Sequence, residues 1–142
     1  MSTCLYMNGQ DIGRLVLAIE RAGESDIEIA QARPEDFLLT LKRFLFNQKV
    51  TPPEIDKFFV VVGSGSATAL RASLSIANTF SFAFCLPLIG IKKKPIEQDL
   101  YTFKNCLAGS CQHAEQKKYL FPLYELPAKI TLSTKDALGL AK

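Results

Sequence analysis

The sequence has little of what marks a nucleic-acid-binding protein or a disordered chain. Its 142 residues include 17 Lys and Arg against 14 Asp and Glu, which gives a net charge of only +3. That balance permits contact with an anionic partner such as RNA, but nucleic-acid binders usually carry a denser basic stripe. With 48% hydrophobic residues, the chain also lacks the low hydrophobicity that disordered proteins show. We expect one compact unit, because this length suits a single core.

Cysteine and histidine are too sparse for an evident metal site. The cysteines are Cys4, Cys85, Cys106 and Cys111, and His113 is the single histidine. Cys106, Cys111 and His113 form a C-x4-C-x-H cluster that is one ligand short of a tetrahedral zinc site. A thiol nucleophile activated by His113 would also lack an orienting Asn or Asp at a recognisable spacing. No cleavable signal is recognisable in residues 1–20, so we expect a cytoplasmic protein with reduced thiols and no metal.

Charged residues are absent from one stretch of membrane-spanning length, residues 72–91, which three lysines follow. Its Ser, Thr and Asn side chains, together with Pro87 and Gly90 in the last third, argue against a span. A small membrane-anchored protein is therefore only an alternative interpretation.

Hydrophobic periodicity predicts an α/β fold. Strands are expected at residues 3–7, 14–21, 26–32, 58–62 and 86–91, with a turn at Asn8-Gly9 after the first. Helices are expected at residues 34–48, opened by Pro34, and at residues 66–84, with Ser66 as N-cap. Because the later connections are helical, the sheet should begin as three antiparallel strands and add two parallel ones. A helix-compatible stretch, residues 96–117, and a Pro-punctuated tail, residues 120–134, follow.

Three features could bind an anion, and each also has a structural explanation. The turn at residues 63–66 could cradle a phosphate at a helix start, but it lacks the Lys of a P-loop, and a tight turn is favoured. Arg71 is the only charge in residues 58–91, where an ion pair is favoured over contact with RNA or nucleotide. The run Lys92, Lys93 and Lys94 is typical of a solvated loop that could touch a phosphate backbone.

The two long helices carry more apolar residues than one core-facing stripe requires. A sheet covers one face of a helix, so we predict that the remaining faces form a subunit interface. Burial of both faces inside the chain, under the tail, is the alternative. The predicted interface consists of Leu38, Leu41, Leu45, Ala69, Ala72, Ile76 and Phe80.

Residues 58–91 resemble the most distinctive stretch of the TsaB (YeaZ) family. There a buried strand leads into a motif of the form G-P-G-S-F-T-G-L-R, an Ala-rich helix and a strand of the form I-P-L-V-G-V. Ser64, Ala67 and Ala69 depart from that motif. The tail, with Pro122, Tyr124, Pro127, Ile130 and Thr131, resembles the P-x-Y and P-x-I-T ending of short members. Six of the nine motif positions match: Gly63, Gly65, Ser66, Thr68, Leu70 and Arg71.

This resemblance implies a half-domain of the actin-like ATPase (ribonuclease H-like) fold, with a five-stranded mixed sheet over residues 1–95. Residues 96–142 would be the remnant of a second half-domain. It further implies a non-catalytic scaffold that binds a TsaD-type catalytic subunit, with a homodimer as the other assembly. That pair attaches threonylcarbamoyl to the adenosine beside the tRNA anticodon, and contact of this chain with tRNA would be weak or indirect.

The resemblance also bears on catalysis. Nucleotide-using members of the superfamily end their first strand with an acidic D-x-[GST] motif, whereas Asn8 stands at that position here. An Asn amide cannot supply the negative charge that Mg²⁺ coordination needs in phosphoryl transfer. We therefore expect no cofactor and no catalysis. A residual ATP-dependent phosphotransferase or peptidase-like enzyme of the superfamily is the alternative.

Overall fold

A computed structural model describes residues 2–109, 115–117 and 120, with the backbone alone for residues 115–117. A mixed sheet of six strands runs through this part of the chain in the order β3-β2-β1-β4-β5-β6. The strands are β1 (Cys4–Asp11), β2 (Arg14–Arg21), β3 (Glu24–Gln31), β4 (Lys57–Gly63), β5 (Leu88–Lys92) and β6 (Glu115–Lys117). The helices are α1 (Phe37–Asn47), α2 (Ala67–Phe84) and α3 (Asp99–Leu107).

The strand pairing confirms the predicted topology of the first five strands. β1, β2 and β3 are antiparallel neighbours, whereas β4 pairs parallel to β1 and β5 pairs parallel to β4. The short β6 adds an antiparallel sixth strand at the β5 edge. The helix predicted over residues 96–117 is wrong at both ends, since α3 begins only at Asp99 and ends at Leu107, and β6 forms the last three residues of the predicted range. Gly109, at a φ of 75°, follows α3 in the left-handed region that commonly ends helices.

The turn predicted at Asn8-Gly9 is also wrong. β1 continues to Asp11, and the chain reverses at Ile12-Gly13, where the Gly13 N–H donates to Asp11 Oδ1 at 2.8 Å. Gly9 instead allows α2 to approach the sheet closely, because a Cβ at this position would lie 2.6 Å from the Cβ of Ser73. The glycine that favoured a turn is therefore required by helix packing.

The sheet is covered on both faces, and side-chain alternation along β1 and β4 divides the core between them. Leu5 and Met7 face the larger core under α1 and α2, whereas Tyr6 faces the smaller core under α3. The Phe103 ring of α3 lies 5.4 Å from the Tyr6 ring, centroid to centroid. Burial of each such side chain contributes about 1.5–3 kcal/mol relative to exposure.

α2 begins and ends with local caps. Ser66 Oγ accepts a hydrogen bond from the Ala69 N–H, which confirms the predicted N-cap. The helix ends at Phe84, and Cys85 adopts the left-handed conformation at a φ of 55°. Within the part of the chain that the structure describes, no helix combines the length and the apolar character that crossing a membrane requires.

Candidate functional site

The motif that carries the family resemblance lies where β4 leads into α2. Gly65 rests on the backbone of β1, since a Cβ there would lie 2.7 Å from the Gln10 carbonyl oxygen. The Ser66 N–H donates to that same oxygen at 2.9 Å. Because the Ala69 N–H is also bonded, to Ser66 Oγ, two backbone donors at the helix start are used inside the protein. The geometry supports the structural explanation of this turn over a phosphate cradle.

The other motif residues divide between the core and the surface. Leu70 is fully buried and Gly63 is buried at the end of β4, where its carbonyl oxygen accepts the Lys93 N–H at 3.0 Å. Thr68 and Arg71 are exposed on the outer side of α2. The ion pair expected for Arg71 stays a prediction.

A cluster of polar side chains from β1, α3 and the residue after β5 closes the edge of the sheet where β1, β4 and β5 end. Its centre is Asp99, the first residue of α3. Asp99 Oδ1 accepts hydrogen bonds from Tyr6 Oη at 2.7 Å and from Asn8 Nδ2 at 2.6 Å. Lys93 Nζ lies 4.0 Å from the same oxygen. We call Tyr6, Asn8, Gln10, Lys93 and Asp99 the polar cluster.

Gln10 connects the cluster to the loop after β4. Its Nε2 donates to the carbonyl oxygens of Ser64 and Lys93, at 2.6 Å in each case, and its Oε1 accepts from Lys93 Nζ at 3.3 Å. Asn8 Oδ1 accepts the Gln10 N–H at 2.9 Å. Among the described residues, no buried side-chain nitrogen or oxygen lacks a hydrogen-bond partner. The cluster is therefore internally satisfied.

Lys93 is the buried cation of this cluster, and its position corrects the prediction of a solvated lysine run. The residue is only 3% exposed, whereas Lys92 and Lys94 on either side are exposed. Burial lowers the pKa of Lys93 below its ordinary value, and the carboxylates of Asp99 and Glu97 partly oppose that effect. Its ammonium also donates to the Lys94 carbonyl oxygen at 3.0 Å.

A cavity of about 300 Å³ opens beside the polar cluster. The charged side chains that line it are Lys93, Arg14 and Asp11. Each cation has a carboxylate nearby, since Arg14 lies 3.9 Å from Asp11 and Lys93 lies 4.0 Å from Asp99, which does not line the cavity. The described residues contain no group of three His, Cys, Asp or Glu that could hold a metal ion. The cavity lining thus offers no carboxylate pair for Mg²⁺. Its walls are formed by Asn8, Gln10, Asp11, Ile12, Arg14, Val16, Ser66, Lys93 and Pro95.

The predicted subunit interface needs correction, because the core contains four of its seven residues. Leu41, Leu45, Ala69 and Phe80 are between 0 and 7% exposed. The physical reason is that α1 and α2 contact each other on one face of the sheet, so that each helix also covers a flank of the other. Ala72 and Ile76 are partly buried against this core, and Leu38 is exposed.

An apolar surface of which the predicted interface included only Leu38 lies on the outer side of α1. Leu39 is 57% exposed and Phe46 is 81% exposed. These residues are seven positions apart and therefore share one side of the helix, with Leu38 at its margin. We call Leu38, Leu39 and Phe46 the outer face of α1. The spacing was a usable signal, but periodicity alone did not distinguish it from a core stripe.

The cysteine and histidine cluster is described only in part. Cys106 is buried on α3, in the smaller core. Cys111 and His113 lie outside the described residues, so the expectation that this C-x4-C-x-H cluster holds no metal stays a prediction.

Comparison with known proteins finds one matching family model and solved structures of similar fold. The family model described as "TsaD: tRNA N6-adenosine threonylcarbamoyltransferase" matches residues 28–94. The solved structure of YeaZ from Pseudomonas aeruginosa superposes with a TM-score of 0.62 at 20% sequence identity. The chain is YeaZ-like in fold. A second structure, titled as an uncharacterized protein with similarity to the peptidase YEAZ from Pseudomonas aeruginosa, gives a TM-score of 0.62 at 18% identity.

The extent of these matches confirms the predicted half-domain. Each superposition covers 77% of this chain and 50% of the YeaZ-like structure, so the chain spans half the length of these relatives. No curated protein matches the chain significantly. The expected likeness to TsaB (YeaZ) is confirmed. The division at residue 95 stays a prediction, and β6 extends the same sheet beyond it.

Proposed function

We propose that this chain is a non-catalytic scaffold of the TsaB (YeaZ) type that binds a TsaD-type catalytic subunit in the cytoplasm. In this role it supports the transfer of threonylcarbamoyl to the adenosine beside the tRNA anticodon, with weak or indirect tRNA contact of its own. The YeaZ-like fold and the match of a TsaD family model to residues 28–94 support this assignment. A homodimer is the other assembly that the same surface would allow.

The outer face of α1 is the observation that carries the proposal. Two large apolar side chains, Leu39 and Phe46, stand mostly in solvent, although burying each would contribute about 1.5–3 kcal/mol. Lys42 and Arg43 are exposed on the same helix and provide a basic rim. The chemistry fits a partner helix with an apolar stripe and acidic residues beside it. On α2, the half-buried Ala72 would admit such a helix closely.

The polar cluster supports the absence of catalysis. The Asn8 amide stands where nucleotide-using relatives have a carboxylate, and it donates to Asp99 inside the protein. Calorimetric titration with Mg²⁺ and ATP should therefore give no heat of binding up to millimolar nucleotide. A Mg²⁺-dependent binding site would contradict the proposal and favour the residual ATP-dependent enzyme.

Reconstitution tests the function directly. A purified TsaD-type subunit would be supplied with tRNA and an activated threonylcarbamoyl donor, with and without this chain, and the modified adenosine would be quantified. We expect the parent to raise the yield and Phe46→Glu not to do so. Tyr101→Glu is the matched control, because Tyr101 is 63% exposed on α3, across the sheet. The proposal fails if the parent gives no increase, or if Phe46→Glu is as effective as the parent.

A further inference from the structure

Leu120 is tied back to α2 across a long stretch of sequence. Its N–H donates to Asn78 Oδ1 at 2.8 Å, and its carbonyl oxygen accepts from Asn78 Nδ2 at 3.0 Å. The Asn78 amide therefore pairs with this residue as a neighbouring strand would. The Leu120 side chain is 4% exposed and uses the space above Gly90, where a Cβ would lie 3.0 Å from Leu120 Cδ2. The chain beyond Leu120 thus starts from a fixed point on α2.

An uncovered aromatic side chain lies on α2 one turn beyond that fixed point. Phe82 is 76% exposed and is four residues after Asn78, so both side chains lie on one side of the helix. We call Asn78 and Phe82 the tail flank of α2. Ala72, where the partner helix of the proposed function would approach α2, lies ten residues before Phe82 and therefore about 15 Å away along the helix axis. The tail flank is therefore distinct from the surface proposed for the catalytic partner.

We propose that residues 121–126 of this chain dock on the tail flank of α2 and cover Phe82. The segment reads FPLYEL and supplies Phe121, Leu123, Tyr124 and Leu126 as apolar or aromatic side chains. Six extended residues reach about 20 Å, whereas one helical turn advances only about 5.4 Å along α2. The segment can therefore reach Phe82 from Leu120 whichever way it leaves.

Residues 121–126 are favoured over a second copy or another protein because they are tethered to the tail flank through Leu120. A segment that begins beside its docking site has an effective concentration in the millimolar range, which a separate molecule at ordinary concentrations does not match. The anchor is already formed, because Leu120 is buried and its two hydrogen bonds to Asn78 are in place. Docking of the next residues then costs only their own ordering.

A tryptophan at position 82 tests the proposal in the full chain. The protein contains no tryptophan, so Phe82→Trp introduces a single tryptophan, whose fluorescence can be excited selectively over that of the tyrosines. We expect acrylamide to quench it several-fold less than the emitter of Ile96→Trp, since Ile96 is 89% exposed. Adding Leu123→Asp and Leu126→Asp to Phe82→Trp should raise quenching to that of the Ile96→Trp control. Adding Asn78→Ala should raise it as well, whereas Thr79→Ala on the adjacent exposed position should not.

Three results of the quenching experiment would overturn the proposal. The first is equal quenching of Phe82→Trp and Ile96→Trp, which means that nothing covers position 82. The second is protection that the tail substitutions leave unchanged although the protein remains folded by circular dichroism. The third is protection that disappears on dilution, which indicates a second copy. Hydrogen exchange of residues 121–126 in the unsubstituted chain provides an independent measurement, and exchange as fast as in the free peptide would also contradict docking. None of these measurements needs the catalytic partner, so failure here is distinguishable from failure of the proposed function.

Discussion

The two faces of the sheet are closed by different kinds of contact. Under α1 and α2, apolar side chains such as Leu5, Met7 and Phe44 pack into one large core. Under α3, the smaller core ends in the polar cluster. There Asp99 accepts hydrogen bonds from Tyr6 and Asn8, which precede it in the sequence by 93 and 91 positions. Apolar packing is non-directional, whereas each polar contact needs its own partner. We therefore expect the α3 side to respond more sharply to single substitutions.

The largest effect is expected on the α3 side, from Asp99→Ala. This change removes the acceptor shared by Tyr6 and Asn8 and leaves the buried Lys93 ammonium without its carboxylate. Loss of one partner from a buried pair costs about 3 kcal/mol, measurable as a lower urea midpoint. Asp26→Ala, at an exposed position on β3, should change stability by less than about 0.5 kcal/mol. Equal effects of the two substitutions would show that the cluster does not hold α3 in place.

A second effect is expected at the contact between the α2 start and β1. The added Cβ of Gly65→Ala would meet backbone atoms of Gln10 at 2.7 and 3.0 Å, which cannot move independently. Overpacking of this kind costs about 1–3 kcal/mol in the free energy of unfolding. Gly13→Ala is the control, because only Asp11 Oδ1, at 3.7 Å, lies near its Cβ position. A Gly65→Ala variant as stable as Gly13→Ala would contradict the close approach of these two elements.

The smallest effect is a pH dependence that originates from Lys93. Its pKa is lowered in the folded state, by burial first, with Arg14 lowering it further and Asp99 and Glu97 raising it. As the pH rises toward the ordinary lysine pKa of about 10.4, Lys93 loses its proton in the folded state before it does so in the unfolded state. The unfolded state then binds more protons, so the contribution of Lys93 to the free energy of unfolding rises with pH. The parent should therefore gain stability relative to Lys93→Gln between neutral and alkaline pH. The exposed Lys92→Gln variant should show no such change relative to the parent, and a decline of the parent relative to Lys93→Gln would contradict the assignment.

The sequence predicted the architecture because that architecture depends on local patterns. Alternation along residues 26–32 and the apolar run at residues 58–62 define strands by themselves. The turn at Asn8-Gly9 was predicted wrongly because of Gly9. A glycine that lets a helix pack closely against a strand cannot be told from a turn glycine by its sequence neighbours alone. The C-terminal end of α3 was also misjudged, although Gly109, two residues after Leu107, is a helix-ending signal.

The polar cluster could not be predicted, because its members are distant in sequence and ordinary in composition. Lys93 stands in a run of three lysines, and only its place directly after β5, beside Gln10 and Asp99, distinguishes it as buried. Asp99 has the pattern of an acidic residue in the first turn of a helix. The helix surfaces were predicted in part: excess apolar character was evident, but a helical wheel does not show which flank a neighbouring helix covers. Leu41 and Leu45 were assigned to the interface for that reason.

Sedimentation velocity of the chain with a TsaD-type subunit tests the central claim most directly. We predict that the parent and Tyr101→Glu co-sediment with this subunit, whereas Leu39→Glu binds about a hundredfold more weakly, as a loss of about 3 kcal/mol gives. Leu39 and Tyr101 have similar exposure, 57% and 63%, so the two substitutions perturb folding equally little. A parent that forms no complex with the subunit, or a Leu39→Glu variant that binds it as tightly as the parent does, would contradict the account.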